Sequence, residues 1–324
     1  MPRRNLLTKR YPVDILATCV VPWKPDYSFD EELFRRQVCL LRDNLTRRLY
    51  VFGTAGEGYA VSDRQFEKIV QAFYAEMVGI NDCPMVGVIS LSLTTIVERI
   101  EWSTTLGIRD FQISLPCWGA LTDREVDIFF RETCGRFPSC RFLHYNLRRS
   151  NRVLAGSDYA RLCQAHPNLV AVKFGGDHST RVDMLQKAPE LQYFFTEPGF
   201  ASMRDEFECG LLASYACTDF ALAREFFNAR GTDLQNLANK MDSVGQTLRD
   251  TVGEAGHMDG AYDKLIIKTH LPDFPLRLLP PYTSVADSSE RVLPKRERRL
   301  NDRSTATPMP ATVSRANEID PRTI

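Results

Sequence analysis

The chain has 324 residues, 44% of them hydrophobic, and 41 basic side chains balance 41 acidic ones. It can bury one large core or two ordinary ones, and its neutral balance gives no global field to draw it to nucleic acid or an anionic membrane. Nine cysteines without a C-x-x-C pair, and five histidines without H-x-H or H-x-x-x-H spacing, speak against a disulfide framework or a bound metal. The opening MPRRNLLTKR is basic but lacks the apolar stretch of a signal peptide, and no apolar run nears the ~20 residues of a membrane span. A soluble, cytoplasmic protein is the expectation.

In chain order, DILATCVV (14–21) is an apolar, β-rich run. SFDEELFRRQVCLLRDNL (28–45) follows with helical spacing that puts Phe34, Val38, Leu41 and Leu45 on one face. RLYVFG (48–53) is strand-like and leads through a glycine-rich loop to a helix from Ser62. Further strand patterns fall at 84–90, 110–116, 140–146, 169–174, 191–196 and 211–218, with helical patterns between most of them. Hydroxyl caps three residues ahead of Glu or Gln, at Ser28–Glu31, Ser62–Gln65 and Thr122–Glu125, mark helix starts in register with this alternation.

Eight apolar strands, each feeding a helix, predict a parallel sheet covered on both faces; eight such units predict a (β/α)8 TIM barrel. A doubly wound open sheet is the alternative, but no G-x-G-x-x-G follows the first strand. The barrel is assigned to 13–225, behind an N-terminal extension (1–12). Additional C-terminal helices occupy 226–283, where GAYDKLIIKTHL runs into the Pro-rich PDFPLRLLPPY. From 284 to 324 large apolar residues are too few to offset ordering entropy, which predicts a disordered tail. Its basic PKRERR (294–299) is diluted by acidic neighbours and reads as solvated linker, not as a nucleic-acid patch.

Active sites of such barrels lie where strands end and βα loops begin. The loop FGTAGEG (52–58) follows the second strand; its glycines let backbone approach a ligand, its amides can cradle an anion, and Thr54 adds a hydroxyl. FLHYN (142–146) ends the fifth strand with the phenol of Tyr145, a possible proton carrier. LVAVKFGGD (169–177) ends the sixth with Lys173, where another apolar residue is expected. A buried lysine needs a carboxylate partner or is driven toward the neutral amine, which is a nucleophile. Amine, phenol and oxyanion cradle together suit an imine with a 2-oxo acid.

These segments resemble the dihydrodipicolinate synthase/N-acetylneuraminate lyase family of class I aldolases. GTAGEG (53–58) is similar to its G-T-T-G-E loop, YN (145–146) to its Y-N-x-P tyrosine, and VK (172–173) to its Schiff-base lysine 28 residues later. LPCWG (115–119) and PLRLLPPY (275–282) resemble further family segments, so the likeness spans about 13–283 in order. The resemblance implies that Lys173 condenses with pyruvate or a related 2-oxo acid, that Tyr145 shuttles protons and that Thr54 links Tyr145 to solvent. It implies a substrate-binding set of Gly53, Ala55, Trp118 and Ser214, with the amides of Thr54 and Ala55 on the substrate carboxylate and Glu57 bracing the loop. It further implies an aldehyde acceptor of unknown identity, no cofactor and a homo-oligomer, dimer or tetramer.

The departures point away from the lysine-pathway synthase itself. Ala55 replaces the loop's second threonine, and a lost hydrogen bond to a charged group costs about 1.5–3 kcal/mol. Trp118 has no hydroxyl to relay a proton. Ser150 takes the place of the synthase's arginine, although Arg149 and Arg152 flank it. Glu197-Pro198 replaces the Gly-Asp after strand seven. A lyase, aldolase or dehydratase with another acceptor is the first reading. The alternative is a catalytically degenerate barrel serving as a binding or regulatory protein.

Overall fold

The computed structural model describes residues 8–79, 84–252 and 257–284. The predicted disordered tail, apart from Ser284, lies outside the described residues. Eight strands close into a parallel barrel in chain order, with β8 pairing back onto β1. They are β1 (Ile15–Cys19), β2 (Leu49–Val51), β3 (Met85–Gly87), β4 (Asp110–Ile113), β5 (Arg141–Asn146), β6 (Leu169–Phe174), β7 (Gln192–Phe195) and β8 (Gly210–Ala213). Between and after them run α1 (Glu31–Asn44), α2 (Asp63–Met77), α3 (Leu93–Thr105), α4 (Asp123–Phe130), α5 (Gly156–Ala165), α6 (His178–Lys187), α7 (Glu197–Met203) and α8 (Phe220–Asn228). Two further helices, α9 (Gly231–Val252) and α10 (Asp259–Lys268), complete the fold. The TIM barrel with additional C-terminal helices read from the sequence is the fold observed.

Strands covered on both faces must be apolar on both, which explains their unbroken hydrophobic runs. Outward residues such as Val51, Val86, Phe111 and Val172 join the helices in one large buried layer. Inward residues, among them Leu16, Tyr50, Met85, Leu143, Ala171, Phe194 and Leu212, fill the barrel interior. The face Phe34, Val38, Leu41 and Leu45 of α1 is buried as its spacing predicts.

The capping boxes at Ser62–Gln65 and Thr122–Glu125 both form. The first one does not: Asp30, not Ser28, caps α1 by accepting from Leu33 N. Ser28 instead donates to Asp26 in a turn where Tyr27 takes a left-handed φ of 61°, and so it is unavailable to the helix.

The N-terminal end of the barrel is sealed by paired charge. Asp110, wholly buried, receives two hydrogen bonds from Arg141 at 2.7 and 2.8 Å and one from Tyr11 at 3.0 Å. Lys9 donates to the carbonyls of Pro189 and Leu191 beside it. The opposite end carries the loops.

Candidate active site

Strand alternation decides what reaches the interior. On β6, Ala171 points inward, so Lys173 does too; on β5 the same holds for Leu143 and Tyr145. An irregularity in register at Phe142/Leu143 gives β6 one extra residue, after which Tyr145 stands directly opposite Lys173. The 28-residue spacing becomes a contact: the Lys173 ammonium lies 3.7 Å from the centre of the Tyr145 ring. Its Nζ donates to the Tyr50 hydroxyl of β2 at 2.9 Å.

Lys173 is buried, and among the described residues no carboxylate forms an ion pair with it. Burial pushes it down to about 8, against the pull of Asp259 and Asp263. Burial also pushes the Tyr145 phenol well above its ordinary range, reinforced by Asp259 and opposed by a hydrogen bond with Thr54. Tyr145 is therefore a neutral phenol near pH 7, able to give a proton and take one back.

The loop after β2 is set by its glycines and by two residues in the left-handed region, Phe52 (φ 68°) and Glu57 (φ 58°). A Cβ on Gly56 would lie 2.8 Å from Phe52 N and 3.0 Å from Cys19 O, both rigid backbone. A Cβ on Gly53 would strike the Tyr50 ring at 2.6 Å, so glycine there is what lets Tyr50 stand under Lys173. Among the described residues the amides of Thr54 and Ala55 find no acceptor, which leaves them free for an anion.

Glu57 does brace this loop. It is wholly buried, accepts from Trp23 Nε1 and Leu279 N, and pairs with Lys264 of α10. The C-terminal segment is thereby fixed to the loop, and α10 crosses the barrel mouth.

A cavity of about 360 Å³ opens between the strand ends and α9 and α10, with Lys173, Tyr145, Tyr50, Ala55 and Ser214 in its wall. Thr54 is buried beside it against Tyr145. Gly53 contributes through its fit to Tyr50. Trp118 does not line this cavity within the single chain, and its side chain is 89% exposed. Arg149 pairs with Asp259 in the cavity wall at 2.9 Å, whereas Arg152 pairs with Asp123 and Asp158 away from it. Ser150 donates to the carbonyls of Leu147 and Arg152, holding the turn between them.

Residues 12–197 match the profile described as the Dihydrodipicolinate synthetase family. The chain belongs to that family. Over 161 residues it is 27% identical to a "Probable 5-dehydro-4-deoxyglucarate dehydratase" of Bradyrhizobium sp. (strain ORS 278), an alignment covering 50% of each chain. It thus spans about half the length of the curated relatives it matches. Its fold is similar to that of Proteus mirabilis N-acetylneuraminate lyase, with a TM-score of 0.72 at 19% identity over 85% of this chain and 94% of that one. It is likewise similar to a prophage protein of the dihydrodipicolinic acid synthase family from E. coli K12, in complex with pyruvate (TM-score 0.71, 13% identity, 85% and 94% coverage).

Within the family frame, the structure adds groups that sequence reasoning passed over. Tyr50 reads as an ordinary strand residue, yet it is the hydrogen-bond partner of Lys173. Asp259 and Asp263, given no role in the sequence, both line the cavity. Glu197, noted only as a departure, is buried with Oε1 accepting from Ser214 N and Ala216 N at 2.8 and 2.9 Å. Burial pushes its carboxyl up to about 7. Among the described residues no group of three or more His, Cys, Asp or Glu could hold a metal ion, and no helix is long and apolar enough to cross a membrane.

Proposed function

We propose that the protein is a Schiff-base-forming lyase of the aldolase and dehydratase kind, acting on pyruvate or a related 2-oxo acid through Lys173. One observation carries this reading: Lys173 is buried at a strand end, faces a cavity and has no carboxylate partner among the described residues. A structural lysine in that position requires an ion pair. A nucleophilic one requires a lowered pKa and an open approach, and Lys173 has both.

The surrounding groups then take roles. Neutral Lys173 attacks the C2 carbonyl; Tyr145 gives the carbinolamine oxygen its proton so that water leaves. The free amides of Thr54 and Ala55 receive the C1 carboxylate. Tyr50 orients the lysine nitrogen from beneath. The protonated imine withdraws electrons from C3, which makes an enamine accessible near neutral pH. The curated relatives' description as dehydratases supports a lyase that removes or adds a group at C4. The loss of the second loop threonine at Ala55 supports a substrate other than that of the lysine-pathway synthase.

The test is intact-mass spectrometry after incubation with pyruvate and borohydride. We expect a gain of one reduced pyruvate per chain, absent from Lys173→Ala. An unchanged mass with pyruvate and a panel of other 2-oxo acids would overturn the reading.

A further inference from the structure

Imine chemistry at Lys173, Tyr145 and the β2 loop leaves one buried carboxyl in the same cavity without a role. Asp263 lies in the cavity wall on α10, one helical turn after Asp259. Asp259 is held by Arg149. Asp263 pairs with no cation among the described residues; its hydrogen-bond contact is a long 3.4 Å approach from Ser214 Oγ. The charged and titratable groups acting on it are Lys173 of β6, Glu197 at the start of α7, Asp259 of α10 itself and Cys217 beyond β8, and Arg249 of α9 lines the same cavity. Tyr50 and Tyr145, from β2 and β5, also lie within its field.

A buried carboxylate without a cation is costly, so the fold can keep Asp263 there only as a neutral acid or beside a cation that arrives with the chemistry. Reaction through an imine on Lys173 meets both conditions in turn. The two residues, one from α10 and one from β6, line the same cavity of about 360 Å³.

Resting on the imine reading, we propose that Asp263 is the catalytic acid that protonates the oxygen on C4 of the Lys173-bound substrate. In dehydration, the enamine nitrogen's lone pair becomes the C2=N bond and the C2=C3 pair moves to C3=C4. The C4–O bond breaks, and its electron pair takes the Asp263 proton as water departs. The lysine nitrogen ends as a conjugated iminium cation and Asp263 as a carboxylate, so charge is conserved within the site. Addition of the same enamine to an aldehyde uses the same proton: C3–C4 forms, and the carbonyl oxygen accepts from Asp263. Burial, reinforced by Asp259, pushes the Asp263 carboxyl up to about 8, so the acid form is present at neutral pH.

The test compares the wild-type chain with Asp263→Asn in three assays. These are borohydride trapping with pyruvate, deuterium exchange into the pyruvate methyl group, and turnover of a panel of 4-hydroxy-2-oxo acids. We expect the variant to trap pyruvate to the same stoichiometry and to exchange within about threefold of wild type, because neither step involves a C4 oxygen. Turnover of 4-hydroxy-2-oxo acids falls by 10²–10⁴-fold, the usual range for a lost general acid. In dehydration by the wild type, kcat/KM needs Lys173 neutral and Asp263 protonated, so it peaks near pH 8 and falls on both sides; the variant loses the alkaline fall. A purely structural role would not move that limb selectively. Equal losses in exchange and turnover, or turnover retained, would overturn the proposal. So would a wild type that traps pyruvate but turns over no member of the panel, with the imine reading left standing. A wild type that fails to trap any 2-oxo acid removes the imine reading itself. Asp263→Ala is read identically should Asp263→Asn not fold.

Discussion

Two lysines of this barrel are pushed down to about 8 by burial, and they stand in unlike surroundings. Lys264 of α10 is wholly enclosed between the helix and the β2 loop, paired with Glu57 and donating to the carbonyl of Arg277. Lys173 touches a phenol and an aromatic face, looks into a cavity and has no carboxylate partner among the described residues. A lowered pKa alone therefore does not separate a structural lysine from a nucleophile. Pairing and access do. The pair at 57 and 264 fixes the β2 loop to the C-terminal segment, and the lysine at 173 has no such anchor among the described residues.

Substitution should pull the two apart. Lys264→Met leaves Glu57 buried without its cation and should cost about 3–5 kcal/mol in urea unfolding. Lys173→Met should leave stability unchanged or raise it, since it removes an uncompensated buried amine, while abolishing adduct formation. A large stability loss at 173, or none at 264, would break the comparison.

A buried acid bonded to the Ser214 and Ala216 amides sharpens it through pH. Glu197 is raised from its ordinary 4.5 to about 7 by burial. A group whose folded pKa exceeds its unfolded value stabilises the fold fully below the unfolded pKa, and that contribution is lost as pH rises through the folded one. Stability should therefore fall between pH 4.5 and 7, by roughly 3 kcal/mol from this residue. Glu197→Gln keeps an oxygen for the Ser214 and Ala216 amides and should flatten that fall. Thermal melts across the range would show an unchanged slope if Glu197 is not responsible.

The smallest effect is expected beneath the lysine. The Tyr50 hydroxyl accepts from the Lys173 ammonium and so favours its charged form. Tyr50→Phe should shift the pH midpoint of pyruvate trapping down by a few tenths of a unit and speed trapping a few-fold at pH 7. A shift upward would mean that the phenol acts chiefly as a donor.

Much of this was legible in the residues. The barrel followed from unbroken apolar strands alternating with capped helices, and Lys173 stood out because a charge interrupts such a strand. Tyr145 followed from its strand-end position together with the family resemblance. Tyr50 did not, because a tyrosine in LYV looks like any β-prone core residue and only closure of the barrel brings it under β6. Asp263 was hidden for a related reason: within GAYDKLIIK an acid suggests a solvated helix face, and nothing local says that α10 lies across the barrel mouth. Trp118 was expected at the substrate through resemblance alone, and in the single chain its ring is exposed.

The most direct measurement is peptide mapping of the borohydride-reduced pyruvate adduct. Both lysines are buried and lowered alike, so a reaction governed by pKa alone would divide between them. The account predicts the whole adduct on the peptide carrying Lys173 and none on that carrying Lys264. Adduct on Lys264, or spread over surface lysines, would contradict it.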